Sequence, residues 1–193
     1  MPADRNDLDR RVAATTPADT SRGLNYTSMF ALVRDELGDA AVRAIDVRGS
    51  GKRSDFLSYP IAEYLACAWN VIDRLEDRYG GPEGVLHELG RRTFTAFLNS
   101  MIGRTVYAIH GRDPARILST AATSYRAAVS YGERTTEHLG PKVSRITFIR
   151  DFMPPAFHRA VILTAMQATE ARRPRVTATA ASLLDSVYEV EWE

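Results

Sequence analysis

Apolar residues recur along this chain with two different periods, and the change falls near Gly132. Before it the steps are three and four. Ile61, Tyr64, Leu65, Ala68, Trp69, Ile72, Leu75 and Tyr79 follow one face of a helix. Ser58 followed by Pro60 is the cap-then-proline order of a helix start. Gly80-Gly81-Pro82 ends that helix and opens a second, which should bury Val85, Leu86, Leu89, Phe94, Phe97, Leu98, Met101 and Ile102. Asp113-Pro114 opens a third, with Ile117, Leu118, Ala121, Tyr125, Ala128 and Val129 inward and Gly132 as its stop. Upstream, Asn25 is an N-cap candidate for a helix carrying Phe30, Val33 and Leu37 as far as Gly38. Residues 40–45 suit a short helix, and VRGSGKRSD at 47–55 reads as a loop.

After Gly132 the period becomes two. Arg134 to Leu139 suits a short strand, and Gly140-Pro141-Lys142 a hairpin turn. Val143 to Phe152 then alternates, which puts Ile146, Phe148 and Phe152 on one face. Pro154-Pro155 starts a helix with Phe157, Val161, Ile162, Ala165 and Met166 apolar. RVTATAAS and DSVYEVEWE form a last strand pair around Leu183-Leu184-Asp185. The expectation is an α+β fold, with N-terminal helices packed on a four-stranded antiparallel sheet in the order ααα-ββαββ. Residues 1–22 are polar and read as a disordered arm, or as an arm that folds on a partner, before a single domain at 23–193.

Composition narrows the function. The 193 residues, 45% hydrophobic and 25% charged, suit one domain with a real core. Lys+Arg is 25 against Asp+Glu 24, so no global field draws in nucleic acid or an anionic membrane. The single cysteine, Cys67, excludes an intrachain disulfide and a Cys-x-x-Cys zinc site. No stretch is apolar enough for a secretory core or a bilayer span, so the expected compartment is the cytoplasm.

The densest cluster of reactive residue types is YRAAVSYGERTTEHLG at 125–140. Tyr125 reads first as core, with Ala121 and Ala128 beside it, and Tyr131 as a helix end. The functional alternative has Tyr125 and Tyr131 lining a cleft, their hydroxyls orienting a bound molecule. His87, His110, His138 and His158 lack the spacing that puts two imidazoles together on a helix, so no metal site is expected. Among them His110, in a loop before a helix, is the best ligand contact. Cys67 reads as a small core hydrophobe. GSGKRS at 49–54 lacks the spacing of a phosphate-binding loop and reads as a flexible basic loop, whose Arg48, Lys52 and Arg53 could meet an acidic partner or phosphate. Glu63 and Glu76-Asp77 lie on helix surfaces near Arg74 and Arg78, as solvated ion pairs. There is no Gly-x-Ser-x-Gly elbow and no acid–base dyad, so no catalytic residue is assigned.

SYPIAEYL, ELGRRTF, GRDPARIL, SYRAAVSYGE, SRITFIRDF and SVYEVEW, in that order, resemble a myxobacterial family of uncharacterised single-domain proteins. The likeness runs from about residue 24 to the end. That family is similar to 4-vinyl reductase domains, to the core subunits of vesicle-tethering complexes and to haem-based nitric oxide sensors. The resemblance implies helices over a four-stranded sheet, with a cleft between them for an aromatic effector, an acyl chain or haem. Two departures matter. The last hairpin has none of the cysteines of zinc-bearing relatives, and YRAAVSYGER lacks the spacing of the sensors' Tyr-x-Ser-x-Arg signature. No cofactor is therefore expected. The expected function is a non-enzymatic small-molecule-binding or sensory domain. Its apolar cleft would be lined by Tyr64, Trp69, Phe94, Phe97, Tyr107, His110, Tyr125, Tyr131 and Phe152 and would take a small hydrophobic or aromatic ligand. The alternative is a protein-interaction module that forms a homodimer or binds another protein, with no nucleic acid or membrane as partner, and an enzyme is the third reading, the one the sequence supports least.

Overall fold

The computed structural model describes residues 5–193. Of the arm expected at 1–22, residues 1–4 lie outside the described residues. The rest is not a disordered arm. Arg5–Ala13 form helix α1 and Thr20–Arg22 form strand β1. Charge and a small apolar face tie this polar segment down. Leu8 is buried in the helical core, with Val12 and Ala14 packed against it. Arg11 and Asp7 form a buried ion pair at 2.7 Å. Asp19, 4% exposed, receives both terminal guanidinium nitrogens of Arg150 at 2.7 Å. Composition alone misses this last pairing, because Arg150 lies more than a hundred residues away.

Helix α2 spans Gly23–Leu37 and α3 spans Asp39–Ile45, separated by Gly38 at φ 83°. Asn25 is not the N-cap; it lies inside α2, and its amide donates to Ser21 Oγ at 2.8 Å. The basic loop that follows is anchored rather than flexible. The Asp46 carboxylate accepts from Arg53 at 2.6 and 3.0 Å, and also from Ser50 Oγ and the Arg48 and Gly51 N–H groups. The Arg53 side chain is buried, with its guanidinium 4.9 Å from the Tyr26 ring and 5.2 Å from the Tyr59 ring. Arg48 grips Glu63 through two bonds of 2.7 and 2.8 Å. Two of the three expected partner-binding cations are thus consumed internally.

Strand β2, Ser58–Pro60, pairs with β1 and leads into α4, Ile61–Tyr79, whose apolar face is buried as the period requires. Helix α5, Pro82–Asn99, stops earlier than expected. Ser100 takes an extended backbone, and its Oγ accepts the Gly103 N–H at 3.1 Å, capping a separate helix α6, Met101–His110. Met101 and Ile102, expected in the core, stand 76% and 55% exposed. The third expected helix is likewise two: α7, Pro114–Ser119, and α8, Ala121–Ala128.

The sheet comprises β3, Glu133–Gly140, and β4, Val143–Ile149; then, beyond α9, Pro155–Gln167, come β5, Arg175–Ala180, and β6, Ser186–Glu191. All pairs are antiparallel, in the order β3-β4-β6-β5. Ile146, Phe148, Tyr188 and Val190 share the face that α9 covers with Ile162 and Met166. Phe152 does not join them. The chain leaves β4 at Ile149, turns at Arg150 (φ 55°), and delivers Phe152 into the helical core against Tyr131. Helices α5 and α9 cross closely at Gly90, where a Cβ would collide with the Phe157 carbonyl and sit 3.0 Å from the Ala160 Cβ. The architecture is α+β, with helices packed on the four-stranded antiparallel sheet. Among the described residues no helix is long and apolar enough to cross a membrane.

Candidate functional site

The two cores meet where β4 ends and α9 begins, and three polar side chains are buried at that junction, with a fourth, Tyr125, half-buried beside them. The turn after β4 sets Asp151, and the Pro154-Pro155 start of α9 points His158 back towards it. His158 Nε2 lies 2.7 Å from Asp151 Oδ1, and His158 Nδ1 lies 2.5 Å from the hydroxyl of Tyr125 on α8. Donation from His158 Nε2 to Asp151, with the phenolic proton of Tyr125 accepted at Nδ1, satisfies every group in this chain. Arg134, on the second residue of β3, ion-pairs with Asp151 Oδ2 and donates to the Tyr131 carbonyl at 2.7 Å. The Met153 N–H adds a further bond to Asp151 at 2.9 Å.

Aromatic rings close this network from water. Tyr125 and Phe148 are edge to face at 5.0 Å, Phe148 and His158 are 4.8 Å apart, and Phe148 and Tyr188 are 4.9 Å apart. The Arg134 guanidinium lies 4.7 Å from the Tyr125 ring and 5.1 Å from Phe148, in cation–π range. Burial alone would raise the Asp151 carboxyl, but His158, Arg134 and the Met153 N–H outweigh it and hold it below the ordinary carboxylate value. Burial, with the Asp151 charge nearby, pushes the Tyr125 and Tyr131 phenols well above theirs. Both phenols therefore stay protonated at neutral pH, and the Tyr125 hydroxyl serves as a hydrogen-bond donor to His158. As nucleophiles they are poor.

The nine expected cleft residues divide into three places. Tyr125, Tyr131 and Phe152 converge at the junction. Tyr64 and Trp69 are buried in the helical core, where Tyr64 stacks edge-on against Tyr26 at 5.1 Å. Phe94, Phe97, Tyr107 and His110 are half-buried on α5 and α6. Phe94 and Phe97 face each other at 5.6 Å, and the Tyr107 hydroxyl donates to the Ala165 carbonyl on α9 at 3.1 Å. His110 is inside the end of α6 rather than in a loop. Cys67 is buried, and burial raises its thiol to about 11.

Sequence reasoning missed Arg134, Asp151 and His158. They come from three elements at spacings no motif describes. One signal was present: His158 interrupts the apolar face formed by Phe157, Val161 and Ile162, and a polar residue there needs a buried partner.

The fold has solved counterparts. An H-NOX protein from S. oneidensis in the Fe(II)NO ligation state superposes with a TM-score of 0.73 at 10% identity, over 89% of this chain and 99% of that one. The Fe(II) unliganded H-NOX protein from K. algicida gives 0.71 at 13% identity, over 89% and 96%. The IWP-051-bound H-NOX from Shewanella woodyi in the Fe(II)CO state gives 0.65 at 15% identity, over 89% and 94%. At such identities the likeness is one of fold. No curated protein matches the chain significantly. The sequence family described as "Protein of unknown function (DUF2378)" matches residues 14–193.

Proposed function

The chain thus belongs to the DUF2378 family, and on that footing we propose that it is a non-enzymatic sensory or regulatory domain whose ligand is a small hydrophobic or aromatic molecule. The resemblance to 4-vinyl reductase domains and to a myxobacterial family belongs to the same reading. One observation carries it. Helix α8 has no buried residue, yet its Tyr125 hydroxyl ends the buried Asp151–His158 chain at 2.5 Å. A lightly held helix is therefore coupled to the charged centre of the molecule through one side chain, by this hydrogen bond and by ring contacts with Phe148, His158 and the Arg134 guanidinium. A molecule lodging against the half-buried Phe94, Phe97 and Tyr107 would shift α9, which Tyr107 holds through the Ala165 carbonyl, and so break the bond between His158 and Tyr125. Two arrangements of one element, biased by a ligand, are what a sensor requires.

The H-NOX structures suggest haem as the molecule, and the residues at the junction argue against it. Rings at 4.8–5.0 Å centroid spacing occupy the space between α9 and β4. Both nitrogens of His158 are engaged, and both of His138 bond Ser119 and Ser144 at 2.8 Å. A porphyrin does not fit this set, and no step is drawn through one.

The test is thermal denaturation with a panel of aromatic acids and medium-chain fatty acids. At least one compound should raise the midpoint of the wild type and not of Phe97→Ser. A panel without effect would count against the reading. A second reading, a protein-interaction module, is favoured by a separate observation: Met101, Ile102 and Ile109 form an exposed apolar stripe on α6. Concentration-dependent dimerisation in sedimentation, abolished by Ile109→Glu, would select it.

A further inference from the structure

We infer that the outer edge of β5, with the groove beside it, takes an extended acidic segment of a partner protein as an added strand. This goes beyond the ligand-binding reading and does not depend on it. The Ala181 N–H donates to the Asp185 carbonyl at 2.9 Å, so this pair is hydrogen-bonded across the hairpin. The same register pairs Thr179 with Val187, Thr177 with Glu189 and Arg175 with Glu191. Antiparallel bonding alternates, so Val176, Ala178 and Ala180 turn their N–H and C=O groups away from β6. Natural sheet edges are usually blunted by bulges, proline or charge. The opposite edge, β3, follows that rule, with a register shift between His138 and Gly140 and charges at Glu133 and Glu137. Strand β5 runs in regular register, and its residues after Arg175 are Val, Thr and Ala.

Beside this edge lies a groove of about 610 Å³, open to solvent. Ala178, Ala180 and Leu183 line one side, Pro155 at the start of α9 the other, and Leu86 of α5 contributes as well. Because Ala178 and Ala180 also present the free backbone groups, an added strand would direct alternate side chains into the groove. Those side chains must be apolar. Charge sets the others. Arg175, on the face opposite Ala178 and Ala180, and Arg172 just before the strand are exposed, and among the described residues their side chains have no hydrogen bond or ion pair. Glu191, across from Arg175 on β6, offsets part of this charge, and the surplus is positive. The occupant is therefore an extended segment that alternates apolar with acidic residues. Main-chain bonds would supply its affinity and the arginines its selectivity.

Fluorescence anisotropy of a short dye-labelled peptide alternating valine with glutamate tests this on the full chain, beside its valine–lysine counterpart. The glutamate peptide should bind, and the lysine peptide should not. Ala178→Pro removes an outward N–H and should weaken binding ~tenfold or more, and Arg175→Glu should do the same. Hydrogen exchange keeps the test decisive if Ala178→Pro does not fold: the peptide should slow exchange at the amides of Val176, Ala178 and Ala180 in the wild type. Equal binding of both peptides, or no protection at those amides, would overturn the proposal. So would a wild-type dimer that Ala178→Pro abolishes and the peptide does not compete, because the occupant would then be a second copy.

Discussion

Tyr125, His158, Asp151 and Arg134 carry two tests between them. Tyr125→Phe leaves His158 Nδ1 buried without its donor, an expected loss of about 1–3 kcal/mol in urea denaturation. Arg134→Met strips Asp151 of its cation and should cost more, about 3–5 kcal/mol, because the carboxylate stays buried. If solvated pairing were the truth, the second loss would fall below about 1 kcal/mol. Acid sensitivity comes from Asp151, whose carboxyl is also held low, and from two further carboxylates. At Asp46, burial raises the carboxyl, but Arg53, the Arg48 and Gly51 N–H groups and Ser50 more than reverse this, to about 2 against an ordinary 3.8. The Arg150 hydrogen bonds, against an opposing burial effect, bring Asp19 to about 2 as well. Both folded values lie below the unfolded one, so their contribution is complete above the ordinary value and is lost as pH falls through the folded one. Stability should hold down to about pH 5 and decline towards pH 2, and Asp46→Asn should start lower and decline less steeply. These residues were hard to read from sequence for one reason. Arg53 and Asp46 sit in a segment of glycines and charges, and Arg134, Asp151 and His158 in three different elements. Burial of a charge depends on what folds over it, which local pattern does not record.

Elements were legible where the period was long and the stops were chemical. Gly80-Gly81-Pro82 and Pro154-Pro155 punctuate the chain as their backbone preferences require, and the two hairpins fall where alternation put them. Gly132, expected to cap the third helix, lies beyond it, because α8 already ends at Ala128 with Val129 extended. The breaks that were missed lie inside apolar runs. Ser100 caps α6 between Phe97 and Met101, and a lone serine among hydrophobes gives a weak signal. Ser100→Ala should cost about 1 kcal/mol and lower the helical circular dichroism signal slightly. Gly90 offers a sharper check. In an isolated helix, alanine for glycine is stabilising by about 1 kcal/mol. Here the α5–α9 crossing leaves no room for a Cβ, so Gly90→Ala should instead destabilise by about 1–3 kcal/mol in urea denaturation. A gain in stability would show that the two helices do not meet that closely.

For the whole molecule, the sequence order of helices and strands implied the layer arrangement, and residues 14–193 fall in one family whose fold is that of the H-NOX structures. The cleft was less legible. An aromatic stripe at helical spacing reads alike as core or as pocket lining, and only packing separates Tyr64 and Trp69, which are buried, from Phe94, Phe97 and Tyr107, which are half-exposed. The central claim is that these half-buried rings receive a small apolar molecule whose binding is felt at Tyr125. Native mass spectrometry of the purified chain, beside the same sample denatured, tests it most directly. The account predicts a mass excess that vanishes on denaturation and is absent from Phe94→Ser/Phe97→Ser. A bare chain mass in both conditions, unchanged after incubation with the compound panel, would contradict it.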